Sequence, residues 1–364
     1  MEKIKRFINC SVPVNTCTLR CHYCYITQTG KFSEKLPVLK YTAEHIGKAL
    51  SRERMGGICH INMCGGGETL LPPELPAIIR VLLEEGHYIM VITNGTVSKR
   101  FDEIVTFPKE LLSHLCFKFS FHYLELKKRK LMDKFFDNIR KVKNAGCSFS
   151  LEVTPSDELI PYIDEMKEVC LQEVGALCHV TVARDESKTG FPILTNYSRK
   201  EYHSIWNTFQ SPMFDFKLSV FGEKRKEFCY AGDWSFYLNL GTGDVRPCYN
   251  YYISQNIFED LNRPVKFVAV GKHCREAHCF NAHALMTLGV IPELNTPPYS
   301  VIRNRKCMNG DEWLTPEMNE FISHKLVEAN RVYSFWEKQF STFMYYYLGG
   351  VSFLRHIRKR IRQK

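Results

Sequence analysis

The chain reads as an α/β protein built on a parallel sheet, and two patterns point there. Short apolar runs recur along the first half, and segments with apolar residues three and four apart lie between most of them. Such alternation marks βαβ units, whose strands pair in parallel. The strand candidates are 8–14, 58–63, 88–93, 115–121, 148–154 and 178–183. Helical spacing marks 42–54, 73–85, 124–145 and 158–172, as in Leu75, Ile78, Ile79 and Leu82, or Phe135, Ile139 and Val142. Thr42 is placed as an N-cap with Glu44 in the first turn, and Pro72-Pro73 precede Glu74. Residues 187–228 read as a connector with a helix over 199–209. The run SFYLNLGTGDV then predicts a hairpin that turns at Gly241-Thr242-Gly243-Asp244. Beyond Pro297-Pro298, Thr315-Pro316-Glu317 is a helix start. Met318, Phe321, Ile322, Ala329, Tyr333, Trp336 and Phe340 follow at helical spacing and predict one long helix packed on the rest.

With 364 residues the chain should form a large domain with a smaller one, or two unequal domains. Apolar content of 45% and charged content of 24% are those of a soluble globular protein. No secretory signal and no run of eighteen apolar residues is expected, so the chain reads as cytoplasmic. Fifteen cysteines in that setting suggest a reducing compartment and metal ligation, not disulfides. Cys59, Cys116, Cys147, Cys170 and Cys178 fall in apolar patterns and read as small core residues. Cys10, Cys64 and Cys307 have no assignment. Six of the cations behind the net charge of +10 sit in the last ten residues, RHIRKRIRQK. A nucleic-acid partner is therefore not expected. This basic end follows Phe343, Tyr345, Tyr346, Tyr347, Phe353 and Leu354, and has two readings. One is a peripheral helix on the inner membrane face, at about 1 kcal/mol for each cation near anionic lipid. The other is a solvated basic terminus.

Near the start, Cys17, Cys21 and Cys24 are spaced C-x3-C-x2-C in CTLRCHYCY. Three thiolates can hold three corners of an iron–sulfur cube and leave the fourth iron open to a small molecule. The alternatives are a zinc knuckle, for which His22 fits no usual ligand pattern, and three unrelated buried thiols. About forty residues later the strand 58–63 runs into Cys64-Gly65-Gly66-Gly67-Glu68. Glycines there let backbone approach a ligand where a Cβ would collide.

The cysteine triplet resembles the signature of the radical S-adenosylmethionine (SAM) enzymes, with Tyr23 as the aromatic residue before the third cysteine. The Gly65–Glu68 turn resembles that family's GGE element. The resemblance implies a partial (β/α)6 TIM-like barrel, a [4Fe–4S] cluster on Cys17, Cys21 and Cys24, and SAM chelated at its open iron. Carbonyls near Gly66 and Gly67 and the Glu68 carboxylate would take the SAM amino group. Ligands in such barrels sit at the C-terminal strand ends. That rule selects Asn94, Ser120 and Glu152 as SAM contacts, with Thr93, His122, Thr154, Arg184 and Asp185 as further mouth residues.

A second cysteine group follows. Thirteen residues separate Cys229 from Gly243, four separate Gly243 from Cys248, and Cys274 and Cys279 stand in CREAHC. This layout is similar to the twitch or SPASM auxiliary domains of radical SAM enzymes and implies a second [4Fe–4S] cluster. Cys307 is an alternative to Cys279 as fourth ligand, and zinc on the same four thiols is an alternative metal. The expected organisation is a barrel over 1–200, a small auxiliary-cluster domain over 201–300 and terminal helices over 301–364.

The resemblance implies reductive cleavage of SAM to a 5′-deoxyadenosyl radical that takes hydrogen from a substrate carbon, with flavodoxin or ferredoxin as reductant. Residues 300–334 are similar to the tail of radical SAM proteins found with bacterial surface-polysaccharide genes. With the basic tail, this suggests oxidation, epimerisation or dehydration of a carbohydrate or lipid-linked sugar. The rivals are a maturase of ribosomally made peptides and a membrane-docked iron–sulfur electron carrier. The first cluster cysteine at residue 17 leaves no room for a leader-binding domain ahead of it, and the GGGE turn argues against a mere carrier.

Overall fold

The computed structural model describes residues 2–249 and 251–362, with side chains described as far as Leu354. The side chains of the basic end, 355–364, lie outside the described residues. Six strands pair in parallel and in chain order. They are β1 (Arg6–Val12), β2 (Cys59–Gly65), β3 (Tyr88–Thr93), β4 (Leu115–Ser120), β5 (Ser148–Val153) and β6 (His179–Val180). Helices cross between them, as the βαβ reading expects, and the result is the partial TIM-like barrel. The strands are almost wholly buried, β5 throughout, which explains their apolar runs: a strand covered on both faces cannot show alternation.

Three more strands extend the sheet. β7 (Ser235–Asn239) pairs in parallel with the free edge of β1, and β8 (Asp244–Arg246) and β9 (Gln255–Asn256) follow antiparallel. The predicted turn joins β7 to β8, with Gly243 at φ +79° and its N–H donating to Asn239 O at 2.8 Å. Strands from the segment 201–300 thus continue the sheet in the order β6-β5-β4-β3-β2-β1-β7-β8-β9.

One face of the sheet packs on the crossover helices through Ile8, Ile61, Val91, Phe117 and Leu151. The other face changes character along the strands. Near the N-terminal ends, Phe7, Tyr88, Met90 and Cys116 pack against Leu288, Tyr299, Ile302 and Phe321 of the C-terminal segment. Two and four residues further on, by strand alternation, the same face carries Asn9, Ser11, Asn62, Cys64, Lys118, Ser120 and Glu152. These line a cavity.

Several elements are shorter than their periodicity suggests. The segment 42–54 is two helices, Ala43–Ala49 and Arg52–Met55, because Ser51 caps the second through Arg54 N at 3.4 Å. The segment 124–145 breaks between Lys128 and Met132, where Lys130 adopts φ +55°. The expected long C-terminal helix is also two. Thr315 caps Pro316–Ser323 as predicted, accepting from Met318 N at 3.3 Å, and His324 then turns extended. Lys325 holds the break, donating to Thr287 O at 2.6 Å, Thr296 O at 2.9 Å and Pro297 O at 3.0 Å. The second helix, Phe335–Arg362, leaves Trp336 and Phe340 78% and 64% exposed, so they are not core residues.

Candidate active site

The loop that leaves β1 carries Cys17, Cys21 and Cys24, and the turn that ends β2 supports it from behind. Gly67 N donates to Val14 O at 2.7 Å and Glu68 N to Thr16 O at 2.9 Å. A Cβ on Gly65, Gly66 or Gly67 would overlap Val14, Asn15 or the Thr16 carbonyl, respectively. The sequence reading assigned these glycines to ligand approach. In the structure they serve first to let two backbones touch, and that contact shapes the cysteine loop.

Glu68 is buried, and its carboxylate accepts from Leu70 N at 3.0 Å, Thr93 Oγ1 at 2.6 Å and Asn94 N at 2.7 Å. Burial pushes its pKa up while those donors pull it down. Three of roughly four acceptor positions are therefore committed to joining the ends of β2 and β3. Asn94 continues the link, with Nδ2 donating to Thr18 Oγ1 at 2.8 Å and lying 3.5 Å from Cys17 Sγ. Tyr25 donates to Gly65 O at 3.0 Å.

Above this frame opens a cavity of about 600 Å³ at the C-terminal strand ends. It is lined by the three loop cysteines and by every residue named for SAM: Tyr23, Gly66, Gly67, Glu68, Asn94, Ser120 and Glu152. Thr93, His122, Thr154 and Arg184 line it too, as does Cys64. Asp185 does not line it. Asp185 accepts from Ser187 N at 3.1 Å and pairs with Lys188 at 2.9 Å. Tyr23 Oη lies 2.7 Å from His122 Nδ1. Burial holds His122 down at about 4, so the imidazole is neutral near pH 7 and shares a single hydrogen bond with the phenol.

Burial lifts the pKa of Cys17 to about 11 and raises those of Cys21 and Cys24 as well. A bound cation reverses such a shift by taking the thiolate directly. Zinc in a tetrahedral thiolate site, with Zn–S about 2.3 Å, holds its sulfurs about 4 Å apart. Three soft thiols on one loop facing a roomy cavity are a donor set that fits an iron–sulfur cube.

The inner wall is charged, a feature that sequence reasoning only partly reached. Glu152 Oε1 lies 3.3 Å from Lys118 Nζ, and Glu152 Oε2 lies 2.7 Å from Arg303 Nη1. Burial opposes ionisation of Glu152, but Lys118 and Arg303 together hold its carboxyl well below the usual range. Lys118 also donates to Ser120 Oγ at 3.1 Å. Lys217, from the helix Pro212–Ser219, donates to Thr181 Oγ1 at 2.6 Å, and burial lowers its pKa to about 7. Burial likewise keeps His283 neutral, and its Nδ1 has no partner. Lys118 had a signal in sequence, a lone cation inside the apolar run LCFKFS. Lys217, His283 and Arg303 had none, since only the fold brings them to the barrel.

The second cysteine group lies beside this wall. Cys229 N donates to Gly271 O at 3.1 Å. Cys279 is half-buried in the field of Cys248, Cys229 and Cys274, and its pKa is raised by desolvation first and by those neighbours next. Cys307 is elsewhere, its Sγ donating to Val174 O at 3.3 Å beyond the helix Ile163–Val174. Phe280 and Asn281, which directly follow Cys279, line the cavity.

Residues 11–156 match the family model described as the Radical SAM superfamily. The chain carries a radical SAM domain. The matched span contains the cysteine triplet, the glycine turn, Asn94, Ser120 and Glu152, and excludes the second cysteine group. The family implies a [4Fe–4S] cluster and SAM. No curated protein matches the chain in sequence. Among solved structures, Streptococcus suis SuiB bound to S-adenosylmethionine is 16% identical with a TM-score of 0.48, over 71% of this chain and 65% of that one. The alignment thus spans just under two thirds of SuiB. Native anSMEcpe with bound AdoMet and Cp18Cys peptide is 16% identical with a TM-score of 0.46, over 70% of this chain and 78% of that one. BtrN in complex with AdoMet and 2-DOIA is 16% identical with a TM-score of 0.36, over 72% and 76%. Among the described residues no helix is long and apolar enough to cross a membrane.

Proposed function

We propose that this radical SAM enzyme acts on a carbon of a polyhydroxylated substrate, a carbohydrate or lipid-linked sugar, by oxidation, epimerisation or dehydration. One observation carries the reading: the cysteine triplet, the glycine turn and a wall of hydrogen-bonding side chains all face the same cavity. Cys17, Cys21 and Cys24 would hold the cluster, and carbonyls of the Gly65–Gly67 turn, with the one free acceptor position of Glu68, would meet the SAM amino group. When bound, cluster and SAM supply a 5′-deoxyadenosyl radical able to take a hydrogen atom from an unactivated carbon. The chain itself orients and excludes water. Asn94 and Glu68 hold the cysteine loop to the strand ends, and Asn9, Asn62, Ser120, Thr181 and Tyr237 offer partners to substrate hydroxyls. Cys229, Cys248, Cys274 and Cys279 would hold a second cluster one residue from the cavity wall, suited to exchanging an electron with a substrate radical. Clusters span about −700 to +450 mV, so the direction depends on its potential.

The test is anaerobic reconstitution with iron, sulfide, dithionite and SAM. Wild type should release 5′-deoxyadenosine and Cys17→Ala should not. Equal release from both, or none from wild type with a full iron content, would refute the assignment. The terminal helix supports peripheral docking on an anionic membrane, because Trp336, Phe340, Phe343, Tyr346, Tyr347 and Phe353 are all more than half exposed ahead of six cations. Deleting residues 351–364 should abolish sedimentation with phosphatidylglycerol vesicles. Undiminished sedimentation would remove this reading.

A further inference from the structure

The cavity wall holds more positive charge and more hydrogen-bond donors than the chain can answer. Arg184 is paired with Glu186 at 2.7 Å. Glu152 is shared between Lys118 and Arg303, and both of its oxygens are occupied. Lys217 has the Thr181 hydroxyl as partner and, among the described residues, no carboxylate within ion-pair distance. Two of the three ammonium donors of Lys217 remain unused. His283 lines the cavity with its Nδ1 buried and unpartnered, and Arg303 stands behind the lining with its Nε likewise unpartnered. Two carboxylates face three fixed cations and Lys217, so this part of the site carries more positive than negative charge.

Buried charges and donors are expensive unless answered, and four cations from four separate elements do not converge by accident of composition. Arg184 follows β6, Lys118 stands on β4, Lys217 ends its helix, and Arg303 comes from the C-terminal segment. The electrostatics tie them together. Lys217 feels Glu152, Arg184, Arg303 and Lys118, and His283 feels Lys217 first and then Arg303.

We infer that this wall is an oxyanion subsite, centred on Lys217 and His283, that binds a phosphate or carboxylate group of the substrate. The inference deepens the proposed function and rests on reading the cavity as the reaction chamber. It narrows the substrate class to one that carries an anionic group, such as a sugar phosphate, a diphosphate-linked sugar or a sugar acid. An incoming anion would keep Lys217 protonated, accept its two free donors and accept from His283 in the Nδ1–H tautomer.

The SAM carboxylate offers the same chemistry, so the experiment has separate arms. Inorganic phosphate and pyrophosphate are titrated calorimetrically into the reconstituted full chain, with and without saturating SAM, and SAM binding is measured on its own. Wild type should bind the probes with SAM present, and Lys217→Met should weaken that binding about ten- to hundredfold, the value of one charge-assisted hydrogen bond. Lys217→Arg should restore most of it. SAM affinity should stay within about threefold in both variants, less than any one such bond is worth. Iron content and melting temperature establish that the variants fold, and His283→Gln is a second probe should Lys217→Met fail to fold. The proposal is overturned if neither probe saturates, if neither Lys217→Met nor His283→Gln weakens binding, or if SAM competes with phosphate and loses affinity in step. Because anion binding is read without turnover, failure here is distinct from a failure to make 5′-deoxyadenosine.

Discussion

Replacing Glu152 by Gln tests the charged wall most directly, because its carboxylate answers two buried cations at once. The side chains of Arg303, Glu152 and Lys118 are 2%, 9% and 10% exposed, so solvent screening gives little relief. Removing one partner of such a buried pair costs about 3–5 kcal/mol, since the remaining charges stay desolvated. Gln keeps the shape and one acceptor, so the lower half of that range is expected. For 364 residues, an unfolding entropy of roughly 2.1 cal/mol/K per residue makes 3–4 kcal/mol a fall in Tm of about 4–5 °C. Urea titration of the anaerobic chain gives the free energy itself. The pH dependence supplies a signature. The folded carboxyl is held below its ordinary value, so its stabilisation is complete above about pH 4.3 and is lost as pH falls towards the folded pKa. The gap between wild type and Glu152→Gln should therefore be full at pH 7 and shrink below about pH 4. Lys118→Met, which leaves Glu152 paired with Arg303, should cost less than half as much. A loss under about 1 kcal/mol for Glu152→Gln, or a gap indifferent to pH, would mean that water reaches the triad and that the wall is not desolvated.

Two further outcomes follow from the cysteine geometry. Gly67→Ala places a methyl group on the Thr16 carbonyl, a backbone atom that cannot swing away, whereas Gly66→Ala meets the Asn15 side-chain oxygen first. Iron retained after reconstitution should fall severely in Gly67→Ala and mildly in Gly66→Ala; equal retention would show that the turn does not shape the cysteine loop. In the second group, Cys279→Ala should lower iron by about four per chain, the content of one cube. Cys307→Ala should leave iron unchanged, and the reverse pattern would reinstate Cys307 as the ligand.

Much of this site was legible from spacing, and the reasons are local. Cys17, Cys21 and Cys24 lie on one loop, and Gly65–Glu68 ends the next strand, so two short motifs define two adjacent parts of one rim. The rule that ligands sit at the C-terminal strand ends then pointed to Ser120 and Glu152, both of which line the cavity. What stayed hidden is long-range. Arg303 lies 151 residues from the carboxylate it pairs with, and no local pattern marks it. The helix breaks were missed for a different reason. Apolar spacing persists across Lys130 and across Lys325, while the interruption is made by a left-handed backbone at one and a buried lysine cap at the other. The second task of Glu68, joining the ends of β2 and β3, was hidden because its three backbone and hydroxyl donors come from Leu70, Thr93 and Asn94 and only the fold brings the last two to it.

The position of β1 explains how two distant cysteine groups come near one cavity. Its C-terminal end launches the loop of Cys17, Cys21 and Cys24. On one side it pairs with β2, in register Ser11 to Cys64, and so meets the glycine turn. On the other side Ser11 pairs with Asn239 of β7, whose hairpin runs between Cys229 and Cys248. The first group thus follows the end of β1, and the hairpin between Cys229 and Cys248 hangs from its edge by a continuous ladder. A hinge between barrel and auxiliary segment would have to break the parallel pairing of β1 with β7, five registered residues long. The pairing of β1 with β7 thus ties the hairpin between Cys229 and Cys248 to the strand that launches the first cysteine loop. Cys279 reaches the cavity wall from that fixed frame through Phe280 and Asn281, so an electron leaving a substrate in the cavity would need no domain movement to find its acceptor.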